Sequence, residues 1–272
     1  HVDPRLELIM EHEGMAFREI SAIELDEEDN LWFAMGDKVY RHYALFSGAN
    51  FLQEIKGIPE GVIVTDILSH QSQVWVSSLG YGIYVFDGNA KLIKHITTEQ
   101  GLTNNNVLSL AGCNGDVWAG TLGGASRMSA EPFGAIESFN EGNGLVSNYI
   151  YDVDCDSEGT IWFATDGDGI IKYSGSTFSV EPWSVEQSDG IFYSISAAES
   201  GNVWFASSED GVFGLLHDSL IELNKSSGLR STELSSVLAL DNERLLCLHK
   251  NGLDYYDHRS GRWLYFGKEV GM

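Results

Sequence analysis

The chain has 272 residues, 43% of them hydrophobic, enough to bury a sizeable core. Sixteen lysines and arginines stand against 40 aspartates and glutamates, a formal net charge of −24. Such a surface repels nucleic acid and anionic membrane and argues against both as partners. No run approaches the roughly 18 to 20 apolar residues a bilayer span needs, so membrane attachment would come only through segments absent from this chain. The chain opens on His1 with no leader-like stretch, a start that says nothing about export.

Read in chain order, residues 6–10 form an outer strand without a blade of its own, so 1–13 is read as the edge of a preceding blade. Gly14-Met15 then opens a repeat. Its mark is tryptophan at a nearly fixed period: Trp32, Trp75, Trp118, Trp162 and Trp204, with gaps of 43, 43, 44 and 42 residues. A further step of 43 lands on Cys247 in Arg244-Leu245-Leu246-Cys247-Leu248. A period in the forties with a short strand around each tryptophan is the signature of a β-propeller, in which each blade buries its faces against its neighbours. The copies span 14–56, 57–100, 101–143, 144–186, 187–227 and 228–272, giving one all-β propeller domain or segment over 1–272.

The third copy shows the pattern. Gly101-Leu102 and a polar turn precede Val107-Leu108-Ser109-Leu110. Asn114-Gly115-Asp116 turns into Val117-Trp118-Ala119-Gly120-Thr121, Leu122-Gly123-Gly124 turns into Ala125-Ser126-Arg127-Met128, and an outer segment runs from Ile136 to Phe139. These are four short strands, A to D, joined by turn residues. The tryptophan on strand B is expected to wedge between blades. Gly36, Gly82, Gly124, Gly169, Gly211 and Gly252, after strand B, are expected at positive φ. In the fifth copy, residues 183–190 replace the usual Gly-Leu opening. Gly267 to Met272 reads as the start of a further copy, so the chain is either a six-blade ring with a surplus edge strand or part of a larger seven-blade or tandem array. Cys113, Cys155 and Cys247 are odd in number and widely spaced, and read as small buried apolar residues rather than a disulfide framework.

The repeat consensus is Gly-Leu, a Val/Ile strand, Asp-x-x-Gly, then hydrophobic-Trp-hydrophobic-Ala/Gly-Thr. Gly101-Leu102…Asp116-Val117-Trp118-Ala119-Gly120-Thr121 and Gly144-Leu145…Glu158-Gly159-Thr160-Ile161-Trp162-Phe163-Ala164-Thr165 carry it. The chain resembles the two-component regulator propeller repeat along essentially its whole length. Departures are Cys247 for Trp, the fifth opening, and Ala34-Met35 or Ser77-Ser78 where Ala/Gly-Thr is usual. The resemblance implies the periplasmic or extracellular sensor region of a Bacteroidetes-type hybrid histidine kinase, commonly with two seven-blade propellers, an immunoglobulin-like domain and one membrane span. It also implies an oligosaccharide as the possible ligand and a homodimer as the possible assembly.

Candidate binding residues come from the B–C and D–A loops, which crown one face of a propeller. Asp166, Asp168 and Asp210 offer carboxylates for sugar hydroxyls or a cation, although Asp and Gly are also ordinary turn residues. Tyr81, Tyr149, Trp183 and Tyr193 offer flat rings with a polar edge, suited to sugar stacking or equally to packing between blades. His249 lies in the sixth B–C loop beside Lys250. Asp154-Cys155-Asp156-Ser157-Glu158-Gly159 has the alternating oxygens of a calcium loop, but the distal acidic ligand falls on strand residues Trp162-Phe163, which favours an ordinary A–B turn. No nucleophile elbow, HExxH, Walker A loop or dinucleotide fingerprint is present, and no catalytic residue, metal or cofactor is assigned. The expectation is a non-enzymatic sensor propeller. The alternatives are a propeller enzyme, lyase or glycosidase, and a protein-interaction scaffold.

Overall fold

The computed structural model describes residues 20–43, 52–130, 133–186, 188–198, 201–216 and 219–267. The orphan strand at 6–10, the opening Gly14-Met15 and the tail beyond Gly267 lie outside these. The described residues form six antiparallel sheets of four strands each. Blade one is β1 (Ile20–Leu25), β2 (Leu31–Met35), β3 (Lys38–His42) and β4 (Leu52–Glu54); blade two is β5 (Val64–His70), β6 (Gln73–Ser78), β7 (Gly82–Asp87) and β8 (Leu92–Ile96). Blade three is β9 (Val107–Cys113), β10 (Asp116–Thr121), β11 (Gly124–Ser129) and β12 (Glu137–Phe139); blade four is β13 (Ile150–Cys155), β14 (Ile161–Thr165), β15 (Ile170–Tyr173) and β16 (Phe178–Val180). Blade five is β17 (Phe192–Ala197), β18 (Val203–Ser207), β19 (Val212–Leu216) and β20 (Ser219–Leu223); blade six is β21 (Leu234–Ala239), β22 (Arg244–His249), β23 (Gly252–Asp257) and β24 (Arg262–Gly267). Strand A of each blade packs beside strand A of the next, so the A strands line the axis and the D strands form the rim.

The core is five hydrophobic clusters, one for each junction between consecutive blades. Each joins the strand-B tryptophan of one blade to the strand-A aliphatic of the next. Trp32 meets Ile67, Trp75 meets Leu110, Trp118 meets Val153, Trp162 meets Ile195 and Trp204 meets Val237. All five indoles are buried, as expected of inter-blade wedges.

The sixth copy needs a correction. Tryptophan pairs across the ladder with Glu24, Leu68, Ala111, Asp154 and Ser196, and the residue so paired in blade six is Leu246, opposite Leu238. Cys247 pairs with Val237, as Phe205 does with Ile195. It stands one residue past the tryptophan position, and burial pushes its thiol well above the ordinary range.

The six glycines after strand B all have positive φ, from 65° at Gly36 to 145° at Gly252. At Gly82 and Gly124 the reason is also steric. A Cβ would lie 2.2 Å from the Ile96 carbonyl oxygen and 2.0 Å from that of Phe139, because strand D passes directly behind the turn. The Gly-Leu openings have a cause of their own. In three D–A loops a single 3-10 turn is capped at its start by Thr97, Asn140 or Asn224 and closed by Gly101, Gly144 or Gly228 in the left-handed region. Leu102, Leu145 and Leu229 follow and plug into the core. The fifth copy opens instead with a short helix, α1 (Trp183–Glu186).

The cysteines also depart from expectation. Cys113 and Cys155 end strand A in neighbouring blades and form a disulfide, with Cα atoms 5.8 Å apart. A separation of 42 residues looks remote along the chain, but the repeat folds one period back beside the previous one. Cys247 alone is the free, buried cysteine among the described residues.

Candidate ligand-binding face

Every strand A carries a β-bulge after its first residue, which leaves Ser21, Thr65, Leu108, Tyr151, Tyr193 and Ser235 without a ladder partner. Bulges re-aim side chains at sheet ends. Here they lie where strand A leaves the D–A loop, at one mouth of the axis.

Below that mouth the blades are tied together by polar groups. Asp66 Oδ2 accepts the Leu110 N–H at 2.8 Å. Ser109 Oγ donates to Asp152 Oδ1 at 2.6 Å, and Asp152 Oδ2 accepts the Ile195 N–H at 2.7 Å. Ser194 Oγ accepts the Val237 N–H at 3.3 Å. Lower down, Glu24 accepts from Ser69 N–H, Asp154 from Ala197 N–H, and Ser196 from Ala239 N–H. These carboxylates touch the axis but are enclosed by blades. Burial pushes Asp66 up to about 7, with the nearby Asp152 charge adding to it against the Leu110 N–H. Asp154 rises to about 6, and Asp152 and Glu24 rise for the same reason, loss of water around a charge.

The loop face holds a cavity of ≈ 380 Å³ between blades two and three, lined by Tyr81, His95, Thr97, Glu99, Gln100 and Asn105 among others. Tyr81 is exposed, and its backbone carbonyl accepts a bond from His95 Nε2 at 2.7 Å. The imidazole is stacked on Tyr84, with ring centroids 4.3 Å apart. The site therefore offers one open aromatic ring, a fixed imidazole, a carboxylate and two amides, with room for a small polar ligand.

The other candidates divide. Tyr149, Tyr193 and Asp166 come together across blades four and five. Tyr149 and Tyr193 are exposed, and the Asp166 N–H donates to the Tyr149 carbonyl at 3.3 Å. The Tyr193 ring lies 5.4 Å from that of Tyr151, whose phenol is raised by burial and by the adjoining Asp166 carboxylate. Asp168 is exposed on the next turn, its N–H bonded to Thr165 Oγ1. The Asp210 N–H is held by Ser207 Oγ, and its Oδ2 is buried.

Two candidates are placed in packing rather than on the open face. Trp183 lies within 6 Å of Phe192, Phe205 and Phe213, over the junction of blades four and five. His249 is the last residue of β22 and not a loop residue. It is buried, stacked on Tyr265, with Nε2 3.7 Å from Asp254 Oδ2. The calcium-like loop is a turn. Asp156 Oδ1 accepts from Glu158 and Thr160 N–H, and Oδ2 from the Trp162 indole at 2.8 Å, which commits the carboxylate to the fold.

Tyr151, His95, Gln100 and Asn105 were missed as site residues. Tyr151 and Asn105 belong to the repeated strand-A and turn pattern, so only the bulge and the cavity distinguish them. Among the described residues no cluster of histidine, cysteine and carboxylate fits a metal, and no helix is long and apolar enough to cross a membrane.

Residues 144–167 match the model of the two component regulator propeller. No curated protein matches the chain. Among solved structures it resembles the extracellular domain of BT3049 from B. thetaiotaomicron, described as a hybrid two component system. Identity is 21%, TM-score 0.73, and the match covers 88% of this chain and 33% of that one. The extracellular domain of BT4673 from the same organism matches at 18% identity and TM-score 0.74, over 94% of this chain and 34% of that one. Virginiamycin B lyase from Staphylococcus aureus, in a catalytically inactive form with quinupristin, matches at 11% identity and TM-score 0.73, over 95% and 87%. The chain thus spans about a third of the two component domains it resembles. Likeness at these identities establishes the propeller fold, and residues 144–167, in the fourth repeat, carry the sequence pattern of the two component regulator propeller.

Proposed function

We propose that this propeller is the extracytoplasmic, ligand-receiving part of a two-component signalling protein and binds an oligosaccharide in the cavity beside Tyr81. The observation that carries this reading is the cavity of ≈ 380 Å³ on the loop face, with the exposed Tyr81 beside His95, Glu99, Gln100 and Asn105. A tyrosine face covers the C–H surface of a sugar while amides and a carboxylate take its hydroxyls. The repeat match at 144–167 and the likeness to extracellular domains of two component systems support the sensor role. The Cys113–Cys155 disulfide supports an oxidising compartment, since such bonds persist outside the cytosol. A ligand there would act by favouring one state of a receptor assembly, a homodimer in this reading, through differential affinity.

The test is a calorimetric titration with a panel of oligosaccharides, run alongside Tyr81→Ala and followed for product. Saturable binding without turnover, lost in Tyr81→Ala at unchanged melting temperature, is expected. Turnover would favour the enzyme reading, for which the lyase fold likeness is the supporting observation. Flat titrations with self-association would favour the scaffold.

A further inference from the structure

The blades are copies of one pattern, so a side chain that does in one loop what its counterpart does in the next belongs to the fold. A side chain without such a counterpart role is free for a ligand. Three D–A loops, 97–102, 140–145 and 224–229, share the same capped turn, and the first borders the cavity beside Tyr81.

Two amides on the cavity wall are half occupied by that turn. Gln100 Oε1 accepts the Thr97 N–H at 2.9 Å, as Asn143 Oδ1 accepts that of Asn140 at 2.7 Å. Asn105 Oδ1 accepts the Thr98 N–H at 2.9 Å, as Asn148 Oδ1 accepts that of Glu141 at 3.0 Å. The carbonyl ends are therefore structural. In the second loop the amide nitrogen is occupied as well, because Asn143 Nδ2 donates to the Ser138 carbonyl at 2.7 Å. The amide nitrogens of Gln100 and Asn105 make no hydrogen bond among the described residues, so these two side chains bring N–H donors to the cavity.

Three further residues have no counterpart. Tyr81 precedes the positive-φ glycine of its B–C turn, where Gly123 and Asp210 stand in blades three and five. Glu99 stands where the other two loops have Gly142 and Ser226. Its carboxylate makes no hydrogen bond or ion pair among the described residues, and the cavity wall carries no other carboxylate and no lysine or arginine. His95 pairs with Tyr84 as Ser138 pairs with Ser126. Its Nε2 donates to the Tyr81 carbonyl, which leaves Nδ1 of the neutral ring as an acceptor.

The cavity thus sets two N–H donors against a carboxylate and an imidazole nitrogen, beside an open aromatic ring. A sugar hydroxyl both donates and accepts, so adjacent hydroxyls match such a set. An acidic sugar group only accepts. It would meet a fixed negative charge with no cation on the wall, in a chain of net charge −24. We infer that this cavity takes a neutral sugar unit through adjacent hydroxyls and rejects acidic sugars, and that Glu99 sets this choice. The inference rests on the oligosaccharide reading of the same site and adds the class of sugar. Glu99 contributes only its backbone N–H to the capped turn, so Glu99→Gln removes the charge and keeps the shape.

Calorimetric titrations at about 0.15 M salt, where charges more than about 8 Å apart are largely screened, test it. The probes are tetrasaccharides in pairs that differ only in a hydroxymethyl or a carboxylate: gluco with glucurono, galacto with galacturono, manno with mannurono. The expected result is saturable binding of a neutral member, with its acidic counterpart weaker on the order of tenfold. In Glu99→Gln the two should come within about twofold of each other at unchanged melting temperature. Equal or tighter binding of the acidic member by the unsubstituted protein overturns the inference and leaves the oligosaccharide reading standing. A preference that persists in Glu99→Gln overturns the assignment to Glu99. Binding of none of the probes, or binding indifferent to Tyr81→Ala, overturns the underlying reading and the inference with it.

Discussion

The aspartate six residues before the strand-B tryptophan shows how one side chain serves turn, strand and core together. Asp26 and Asp156 each accept two turn N–H groups on one oxygen and the tryptophan indole on the other, with the same distances within each pair. Blade five has the same turn backbone, with Ala198 N–H bonded to the Asn202 carbonyl at 2.8 Å and Gly201 N–H to that of Ala198 at 3.0 Å, but alanine stands where aspartate is needed. The Trp204 indole nitrogen is consequently buried without a partner. A buried unsatisfied donor costs about 1 to 3 kcal/mol. Ala198→Asp should therefore raise unfolding stability, by about 1 kcal/mol after the cost of confining a carboxylate. Asp156→Ala should lower it by about 1 to 3 kcal/mol. Urea unfolding of the two variants checks both signs, and a destabilised Ala198→Asp would refute the account. The Asp-x-x-Gly pattern is legible in sequence, but its role as an indole acceptor is not, because six residues of separation become contact only after the turn closes.

At the scale of elements, the blade is a repeat whose cross-links run sideways. The disulfide ties the ends of strand A in blades three and four across 42 residues. Closing a loop of that length should contribute about 3 to 4 kcal/mol, chiefly by restricting the unfolded chain. Cys113→Ala with Cys155→Ala should lower unfolding stability by that amount while leaving far-ultraviolet circular dichroism unchanged. An unchanged midpoint in the double variant would show that the neighbouring inter-blade contacts already supply the restraint. The six bulges are a second element-scale device. They free Tyr151 and Tyr193, the same position in neighbouring blades, from the ladder, and the two rings lie 5.4 Å apart at the axial mouth.

For the whole molecule, the enclosed carboxylates and the net charge of −24 act in the same direction. Asp66 near 7 and Asp154 near 6 hold their protons more tightly folded than unfolded. Protonation therefore favours the fold, and their contribution is lost as pH rises from about 4 through these values. Asp26 runs the other way. Burial raises it, but hydrogen bonds from Trp32 and Asn30 and the Arg41 charge hold it below its usual range, so its contribution is lost on acidification. The melting temperature should be higher near pH 5.5 than at pH 8, and Asp66→Asn should reduce the difference. Calorimetry at the two pH values decides this, and a higher melting temperature at pH 8 would contradict it. The sequence alone determined the blade number present, the strand order, the inter-blade tryptophans and the positive-φ glycines, because each is a local pattern repeated at one period. It missed the Cys113–Cys155 disulfide, because the ring brings residues 42 apart into contact. The blade-six counterpart of tryptophan and the burial of His249 at the end of β22 were decided within the blade, by strand register and by packing on Tyr265. The cavity beside Tyr81 was likewise decided by the tertiary structure, because a cavity is defined by the space between elements and not by any one of them.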